Sequence, residues 1–198
     1  MECIKGKGVA RGIVMGKLLF CQRDRTDISK SKVEIPQEEY ERYKRAREKA
    51  KAQLEELYKK ALGEVGESAA QIFAIHQNLL EDVEYEDNIK HMILKQGYNA
   101  EYAVNATTEK LKDMFRNLDD EYIRERFSDV EDISKRLLDI LFETKTELSE
   151  KREPVIICGD DFAPSETIQM DKKKILAICT RQGSASSHTA ILAKTMNL

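Results

Sequence analysis

Between Pro36 and about Leu148, apolar residues recur every three or four positions among charged ones. This spacing places the apolar residues on one stripe of a helix, so it predicts amphipathic helices. Glycines and capping residues divide the region into four long segments with short connections, which is typical of an antiparallel bundle or a pair of helical hairpins. The segments run from Pro36 to Gly63, from Glu67 to Lys95, from Asn99 to Leu118, and onward from Asp119 or Asp120.

Two positions inside these segments carry signals that interrupt a helix. The acidic run 81–84 breaks the apolar stripe of the second segment, so we expect a kink or a break there. In the fourth segment, Ser128 and Glu131 have the spacing of a capping box, in which each side chain bonds the other residue's backbone N–H. A new helix can therefore begin at Ser128.

The two ends of the chain carry strand-like patterns instead. Near the N-terminus, glycines separate apolar runs and predict one strand around residues 8–13 and another around residues 14–21. Near the C-terminus, short β-branched runs predict strands at residues 154–158 and 172–179. A short helix is expected between them, near residues 164–168, which makes a parallel βαβ unit.

Strand pairing predicts how the chain is divided. The backbone groups of the N-terminal strands need partners, and the other predicted strands lie after residue 153. We therefore expect a discontinuous α/β subdomain, residues 1–22 plus 150–198, interrupted by a helical subdomain, residues 23–149.

Composition excludes several classes of protein. The net charge is −3 and charged residues of both signs make up 35% of the chain, so the sequence lacks the basic excess of a nucleic-acid-binding domain. No apolar run approaches the roughly 20 residues that cross a bilayer, and the N-terminus lacks a signal-peptide core. The four cysteines have no CxxC spacing, which argues against a zinc site or a disulfide framework and favours a reducing cytosol.

The most informative stretch is the loop from Gly183 to Ser187 and the apolar-periodic segment that follows it. Its order predicts strand, tight loop and helix, with His188 in the first helical turn and Ser186 or Ser187 as the cap. A helix N-terminus presents free N–H groups and partial positive charge, which suit an oxyanion and disfavour an imidazolium. This arrangement fits a neutral histidine that receives a phosphoryl group. The alternative is an ordinary surface histidine at a helix start.

The segment Ser186–Ala193 resembles the phosphohistidine signature of Enzyme I of the bacterial phosphoenolpyruvate:sugar phosphotransferase system, the phosphoenolpyruvate–protein phosphotransferase. Further segments are similar to the same family in the same order, and the resemblance covers nearly all 198 residues. These segments are Gly8–Ile13, Leu79–Asp82, Asp119–Tyr122, Asp129–Ile133, Lys135–Leu138 and Ala163–Thr167.

The resemblance implies a fold and a function. The fold is an α/β swivelling phosphohistidine subdomain, truncated here, interrupted by an inserted four-helix, mostly antiparallel subdomain. His188 would take a phosphoryl group from phosphoenolpyruvate and pass it to the carrier protein HPr. Thr167 would hydrogen-bond His188, and Ser186, Ser187 and Thr189 would hold phosphoryl oxygens. The residues implied as contacts for HPr on the helical subdomain are His76, Leu79, Glu84, Tyr122 and Arg126.

The sequence also departs from the family pattern. Ala185 stands where the family has a basic residue, and Arg181 and Lys194 are the candidate replacements by proximity in sequence. Family members continue beyond the position of Leu198 into a barrel domain that binds phosphoenolpyruvate and magnesium. We therefore expect these 198 residues to hold no cofactor, to be unable to phosphorylate themselves from phosphoenolpyruvate, and to be monomeric and cytoplasmic.

Two other functions remain open on the sequence. One is the swivelling domain of a pyruvate–phosphate dikinase or phosphoenolpyruvate synthase, although the long helical insertion argues against it. The other is a helical interaction module whose α/β part is inert. A Ser187–His188 hydrolase pair is disfavoured because adjacent residues at a helix start do not face each other. Asp160 and Asp161 are expected in a solvated turn, and His91 on the surface.

Overall fold

The computed structural model describes residues 4–21, 28–116, 121–143 and 153–198, with the backbone alone for residues 115, 116 and 121–127. Seven helices and three strands lie within these ranges. In chain order they are β1 (Lys17–Cys21), α1 (Pro36–Val65), α2 (Glu67–Leu80), α3 (Val83–Leu94), α4 (Ala100–Arg116), α5 (Glu121–Leu141), β2 (Val155–Gly159), α6 (Pro164–Thr167), β3 (Ile175–Thr180) and α7 (His188–Thr195).

Among its described residues, the helical region contains five helices where the sequence predicts four segments. The expected break in the second segment is confirmed, because α2 ends at Leu80 and α3 begins at Val83. Asp82 caps α3, and its carboxylate accepts a hydrogen bond from the backbone N–H of Tyr85 at 2.9 Å. The same acidic run that disturbs the apolar stripe therefore stops one helix and starts the next.

The predicted helix start at Ser128 is wrong. Helix α5 runs without interruption from Glu121 to Leu141. Ser128 and Glu131 are both exposed, whereas Val130, Ile133 and Leu137 stay buried on one side of the helix. Continuous burial of that apolar side stabilises the helix more than a cap would stabilise an interruption.

The main core lies among α1–α5 and consists of large apolar side chains with almost no exposure. A buried hydroxyl cluster joins three of the helices: Tyr85 Oη lies 2.8 Å from Ser134 Oγ, and Thr108 Oγ1 donates to Ser134 Oγ at 2.7 Å. Burial raises the pKa of Tyr85 to about 12. The phenol therefore stays protonated and can donate in this cluster. The fully buried apolar side chains of the helices include Tyr43, Leu54, Phe73, Leu80, Ile89, Ile93, Ile133 and Leu137.

The three strands form one parallel sheet in the order β1-β2-β3. The expected pairing of an N-terminal strand with the strands after residue 153 is confirmed, with Leu19 of β1 opposite Ile157 of β2. The expected βαβ unit is confirmed as β2, α6 and β3.

The predicted strand at residues 8–13 is wrong, because these residues are exposed and do not join the described sheet, so their backbone has no strand partner there.

The C-terminal helices pack on the helical core. Ile168, which follows α6, and Leu192 and Met196, in and after α7, are buried in the same apolar cluster as the side chains of α1–α5. Helix α7 is thus fixed against the bundle as well as connected to the sheet. Among the described residues, no helix combines the length and the apolar character that a membrane crossing needs.

Candidate functional site

The loop and helix around His188 have the local structure that the sequence predicts. His188 is the first residue of α7, and its side chain is 45% exposed. Ser187 is the cap, since its hydroxyl accepts a hydrogen bond from the N–H of Ala190 at 3.2 Å. Gly183 has φ +111°, a conformation that favours glycine and lets the chain turn into the helix. The imidazole therefore sits at the positive end of a helix and is open to solvent.

The three hydroxyl groups expected to hold phosphoryl oxygens all have hydrogen-bond partners within the protein. The hydroxyl of Ser187 is used in the cap, and Thr189 Oγ1 donates to the carbonyl of Phe162. Ser186 is exposed, with its hydroxyl 3.0 Å from that of Ser184. Of the three residues expected to hold phosphoryl oxygens, Ser186 has the hydroxyl that can turn outward at the least cost.

Thr167 lies at the end of α6 and is fully buried. Its hydroxyl donates to the carbonyl of Ala163 at 3.0 Å and makes no hydrogen bond to His188 among the described contacts. Helices α6 and α7 are nevertheless neighbours, because Thr189 of α7 bonds the residue immediately before the α6 cap. The oxygen of Thr167 keeps lone pairs that can accept a further hydrogen bond.

The structure places an acidic side chain beside His188 that the sequence did not mark as part of the site. The Nδ1 atom of His188 lies 3.9 Å from Oδ1 of Asp129, on α5. The same oxygen lies 3.2 Å from Nε2 of His76, on α2. The other ring nitrogen of His76 lies 3.7 Å from Oδ2 of Asp132, one turn beyond Asp129. Helices α2, α5 and α7 thus converge on a cluster of two histidines and two aspartates.

The burial of His76 corrects its expected role. We expected its side chain on the surface that binds a partner, but it is 0% exposed and packed edge-on against Phe73, with ring centroids 6.2 Å apart. A side chain in the interior cannot contact a partner directly. Periodicity alone did not reveal this, because a helical stripe shows which positions face the core and not which polar residues are paired there.

The other four expected partner contacts lie on α2, α3 and α5. Leu79 is half-buried and Glu84 is exposed. Ile75 lies four residues before Leu79, on the same face of α2, and is 39% exposed. Tyr122 and Arg126 belong to α5, and their side chains lie outside the described residues.

The two candidate replacements for the missing basic residue differ in position. Arg181 lies in the loop before α7 and is paired with Asp160, with Nε 2.8 Å from Oδ1. Lys194 is six residues beyond His188, about 9 Å along the helix axis. Lys194 is therefore poorly placed, and Arg181 is the better candidate. Within the described ranges, no group of three or more His, Cys, Asp or Glu side chains is placed to hold a metal ion.

Asp132 also fixes α6 beside the site. Its carboxylate accepts hydrogen bonds from Ser165 Oγ at 2.6 Å and from Ser165 N at 3.3 Å, and both residues are buried. Lys135, one turn further along α5, pairs with Glu166. Helix α5 thereby holds the first turn of α6, which carries Thr167 and lies against α7.

Replacing Ser165 with alanine removes the hydroxyl donor and leaves a buried carboxylate less well paired. We expect the free energy of unfolding to fall by about 2 kcal/mol, because hydrogen bonds to charged groups contribute this much. Urea denaturation followed by circular dichroism measures the change. Ser68→Ala, an exposed position near the start of α2, is the matched control and should change stability little. Equal stability of the two variants would contradict the role of the Ser165–Asp132 bond.

Comparisons with known proteins agree with this architecture. Residues 5–126 match the family described as PEP-utilising enzyme, N-terminal, and residues 151–198 match the family described as PEP-utilising enzyme, mobile domain. The phosphoenolpyruvate-protein phosphotransferase of Mycoplasma capricolum is 32% identical over 98% of this chain and 34% of its own length. The corresponding protein of Bacillus subtilis is 31% identical over 100% of this chain and 35% of its own length.

Solved structures show the same fold. A solution NMR structure of an Enzyme I protein has a TM-score of 0.75 and 32% identity, and the match covers 96% of this chain and 78% of that one. The N-terminal domain of a nitrogen Enzyme 1 matches with a TM-score of 0.67 at 23% identity, over 95% of this chain and 78% of that one.

The chain spans about a third of the length of the curated relatives that it matches. The family match nevertheless covers more than half of the chain, and the fold and the order of the segments agree with it. The chain therefore belongs to the family of PEP-utilising enzymes, in which it matches the N-terminal domain and the mobile domain.

Proposed function

We propose that this chain is the N-terminal part of a phosphoenolpyruvate–protein phosphotransferase, in which His188 carries the phosphoryl group. One observation supports this most directly: a half-exposed histidine is the first residue of a helix, with one ring nitrogen facing a carboxylate and the other free of any described contact. The relatives named for this activity align over 98% or more of the chain, including α1–α5. That alignment favours this function over an isolated swivelling domain or an inert helical module.

The chemistry at His188 follows from its position. A neutral imidazole attacks phosphorus with the lone pair of one ring nitrogen, so the proton must stay on the other nitrogen. The free N–H groups at the start of α7 stabilise the phosphoryl oxygens, since they point at an anion without having to reorganise. Ser186 is proposed as an additional donor, with Ser187 and Thr189 shaping the turn that presents these groups. Thr167 is proposed to accept a hydrogen bond from the imidazole when the ring turns toward α6.

In the whole enzyme, phosphoenolpyruvate and magnesium are proposed to bind in a barrel domain. The acceptor of the phosphoryl group is proposed to be HPr, in a cytoplasmic pathway. On this chain, HPr would dock on the exposed face of α2 and the start of α3. Ile75 and Leu79 provide apolar contacts there, Glu84 lies beside them, and Tyr122 and Arg126 on α5 complete the proposed set.

Replacing Leu79 with aspartate places a charge in the centre of this apolar face. We expect the dissociation constant for HPr to rise by about 10- to 100-fold, because a desolvated charge without a partner costs a few kcal/mol at an interface. Titration calorimetry or NMR titration measures this dissociation constant. The helical circular dichroism signal should not change, because Leu79 is only half-buried. Leu62→Asp, at an exposed leucine on α1, is the matched control. Equal affinity of both variants would remove Leu79 from the interface.

Phosphoryl transfer from phosphorylated HPr to the 198-residue protein tests the proposed function. We expect acid-labile phosphate on the protein, mapped by mass spectrometry to His188. Transfer without involvement of HPr, from a dikinase-type donor domain, would favour the swivelling-domain function. The absence of phosphate with any donor would favour the inert module.

A further inference from the structure

The buried carboxylate of Asp129 lies between two imidazoles. Its Oδ1 atom is 3.2 Å from Nε2 of His76 and 3.9 Å from Nδ1 of His188. Asp129 is 3% exposed and His76 is 0% exposed, whereas the side chain of His188 is 45% exposed. A single oxygen thus connects a histidine sealed in the bundle with the histidine at the surface.

A carboxylate in this position needs compensation. Taking a carboxylate out of water costs several kcal/mol unless positive charge or hydrogen-bond donors face it. Among the described residues, the side-chain nitrogen atoms that lie within 4 Å of the carboxylate of Asp129 without a hydrogen bond to it belong to these two histidines. Oδ1 of Asp129 and both ring nitrogens of His76 are buried without a well-aligned hydrogen bond. The carboxylate of Asp129 can therefore accept a hydrogen bond from either imidazole, provided that the ring carries its proton on the nitrogen that faces Asp129.

We propose that Asp129 is a positioning residue for phosphoryl transfer at His188. This inference rests on the proposed function. The carboxylate attracts a proton on Nδ1 of His188, and the ring then presents the lone pair of Nε2 to phosphorus. An isolated histidine side chain in water favours the opposite tautomer, with its proton on Nε2, so the carboxylate reverses the intrinsic preference.

The transfer step balances without moving this proton. The lone pair of Nε2 forms a bond to phosphorus while the bond between phosphorus and the donor atom of phosphorylated HPr breaks, and that electron pair returns to the donor atom. The ring of His188 keeps its Nδ1 proton and gains positive charge as the new bond forms. Asp129 offsets this charge in a partly buried setting, where electrostatic interactions are stronger than in water.

The second histidine and the second aspartate line the interior side of Asp129. Nε2 of His76 faces Asp129, and its Nδ1 faces Asp132, which is itself fixed by two hydrogen bonds from Ser165. His76 therefore acts from the interior, through Asp129, and needs no contact with a partner protein or with the phosphoryl group.

The test compares Asp129→Asn with Glu131→Gln, which removes an exposed carboxylate two residues away on α5. Long-range ¹⁵N NMR reads the tautomer of His188 without any phosphoryl donor, and single-turnover transfer from phosphorylated HPr gives the rate. We expect the wild-type ring to carry its proton on Nδ1, and the phosphate to be on Nε2. Asp129→Asn should shift the tautomer toward Nε2–H and slow transfer by about 10- to 100-fold. Glu131→Gln should change neither quantity.

The proposal would be overturned if Asp129→Asn and Glu131→Gln had the same His188 tautomer and the same rate of phosphoryl transfer. A wild-type ring protonated on Nε2, or phosphate on Nδ1, would also overturn it, so the proposal stays testable even if Asp129→Asn does not fold. Asp129→Glu retains the charge and should retain the Nδ1–H tautomer. If the wild-type protein accepts no phosphoryl group, the proposed function fails. The NMR measurement of the tautomer still shows in that case whether Asp129 orients the ring of His188.

Discussion

His188→Ala is expected to abolish phosphoryl uptake from phosphorylated HPr, because no other described side chain lies at the start of α7 with a nucleophilic nitrogen. The variant should still fold. The side chain of His188 is 45% exposed and lies at a long distance, 3.9 Å, from the carboxylate of Asp129, so we expect the free energy of unfolding to change by less than about 1 kcal/mol. Filter binding with labelled donor and urea denaturation provide the two measurements.

The control for this prediction is His91→Ala. His91 is an exposed histidine in the last turn of α3, as the sequence predicts, and its loss should leave uptake at the wild-type rate. Acid-labile phosphate on His188→Ala would show that the acceptor is a different histidine. In that case the mechanism built on the start of α7 would fail.

Phe73→Ala is expected to cause the largest loss of stability, about 3–5 kcal/mol. Phe73 lies on α2, is fully buried, and belongs to the main core. Removing the ring deletes its apolar contacts and leaves a cavity that the surrounding helices fill only in part. Urea denaturation monitored by circular dichroism measures the change through the midpoint and the slope.

Ile75→Ala is the matched control on the same helix, because its side chain is 39% exposed. We expect Ile75→Ala to lower the free energy of unfolding by less than about 1 kcal/mol. Phe73 also packs edge-on against His76, so its removal should loosen the ring that faces Asp129. If Phe73→Ala lowered the free energy of unfolding by no more than Ile75→Ala does, the side chain of Phe73 would not be what anchors α2 in the core.

Most of the helical architecture could be predicted from the sequence, because long amphipathic stripes dominate it. The error at Ser128 has a simple physical origin. Serine and glutamate three residues apart form a capping box only at a helix start, and the same spacing also occurs on the solvated side of a continuous helix. Burial of Val130 and Ile133 through that region decides between the two cases, and burial depends on tertiary packing.

The candidate site could be predicted only in part. The loop, the cap and the position of His188 follow from local residue types, and the structure has all three. The approach of Asp129 to His188 joins residues far apart in sequence, and no local pattern encodes it. His76 was assigned to the surface from the family resemblance, and no local pattern could correct this because the aspartates that face it lie on another helix.

Ile168, Leu192 and Met196 have a dynamic consequence, since they share one apolar cluster with the bundle. Local opening of a protein tends to follow cooperative units defined by such clusters. The segment that presents His188 should therefore melt together with the five-helix unit and not with the three strands. Any swivelling of this segment away from the bundle must first expose these three side chains to water, which sets an energetic threshold for the motion.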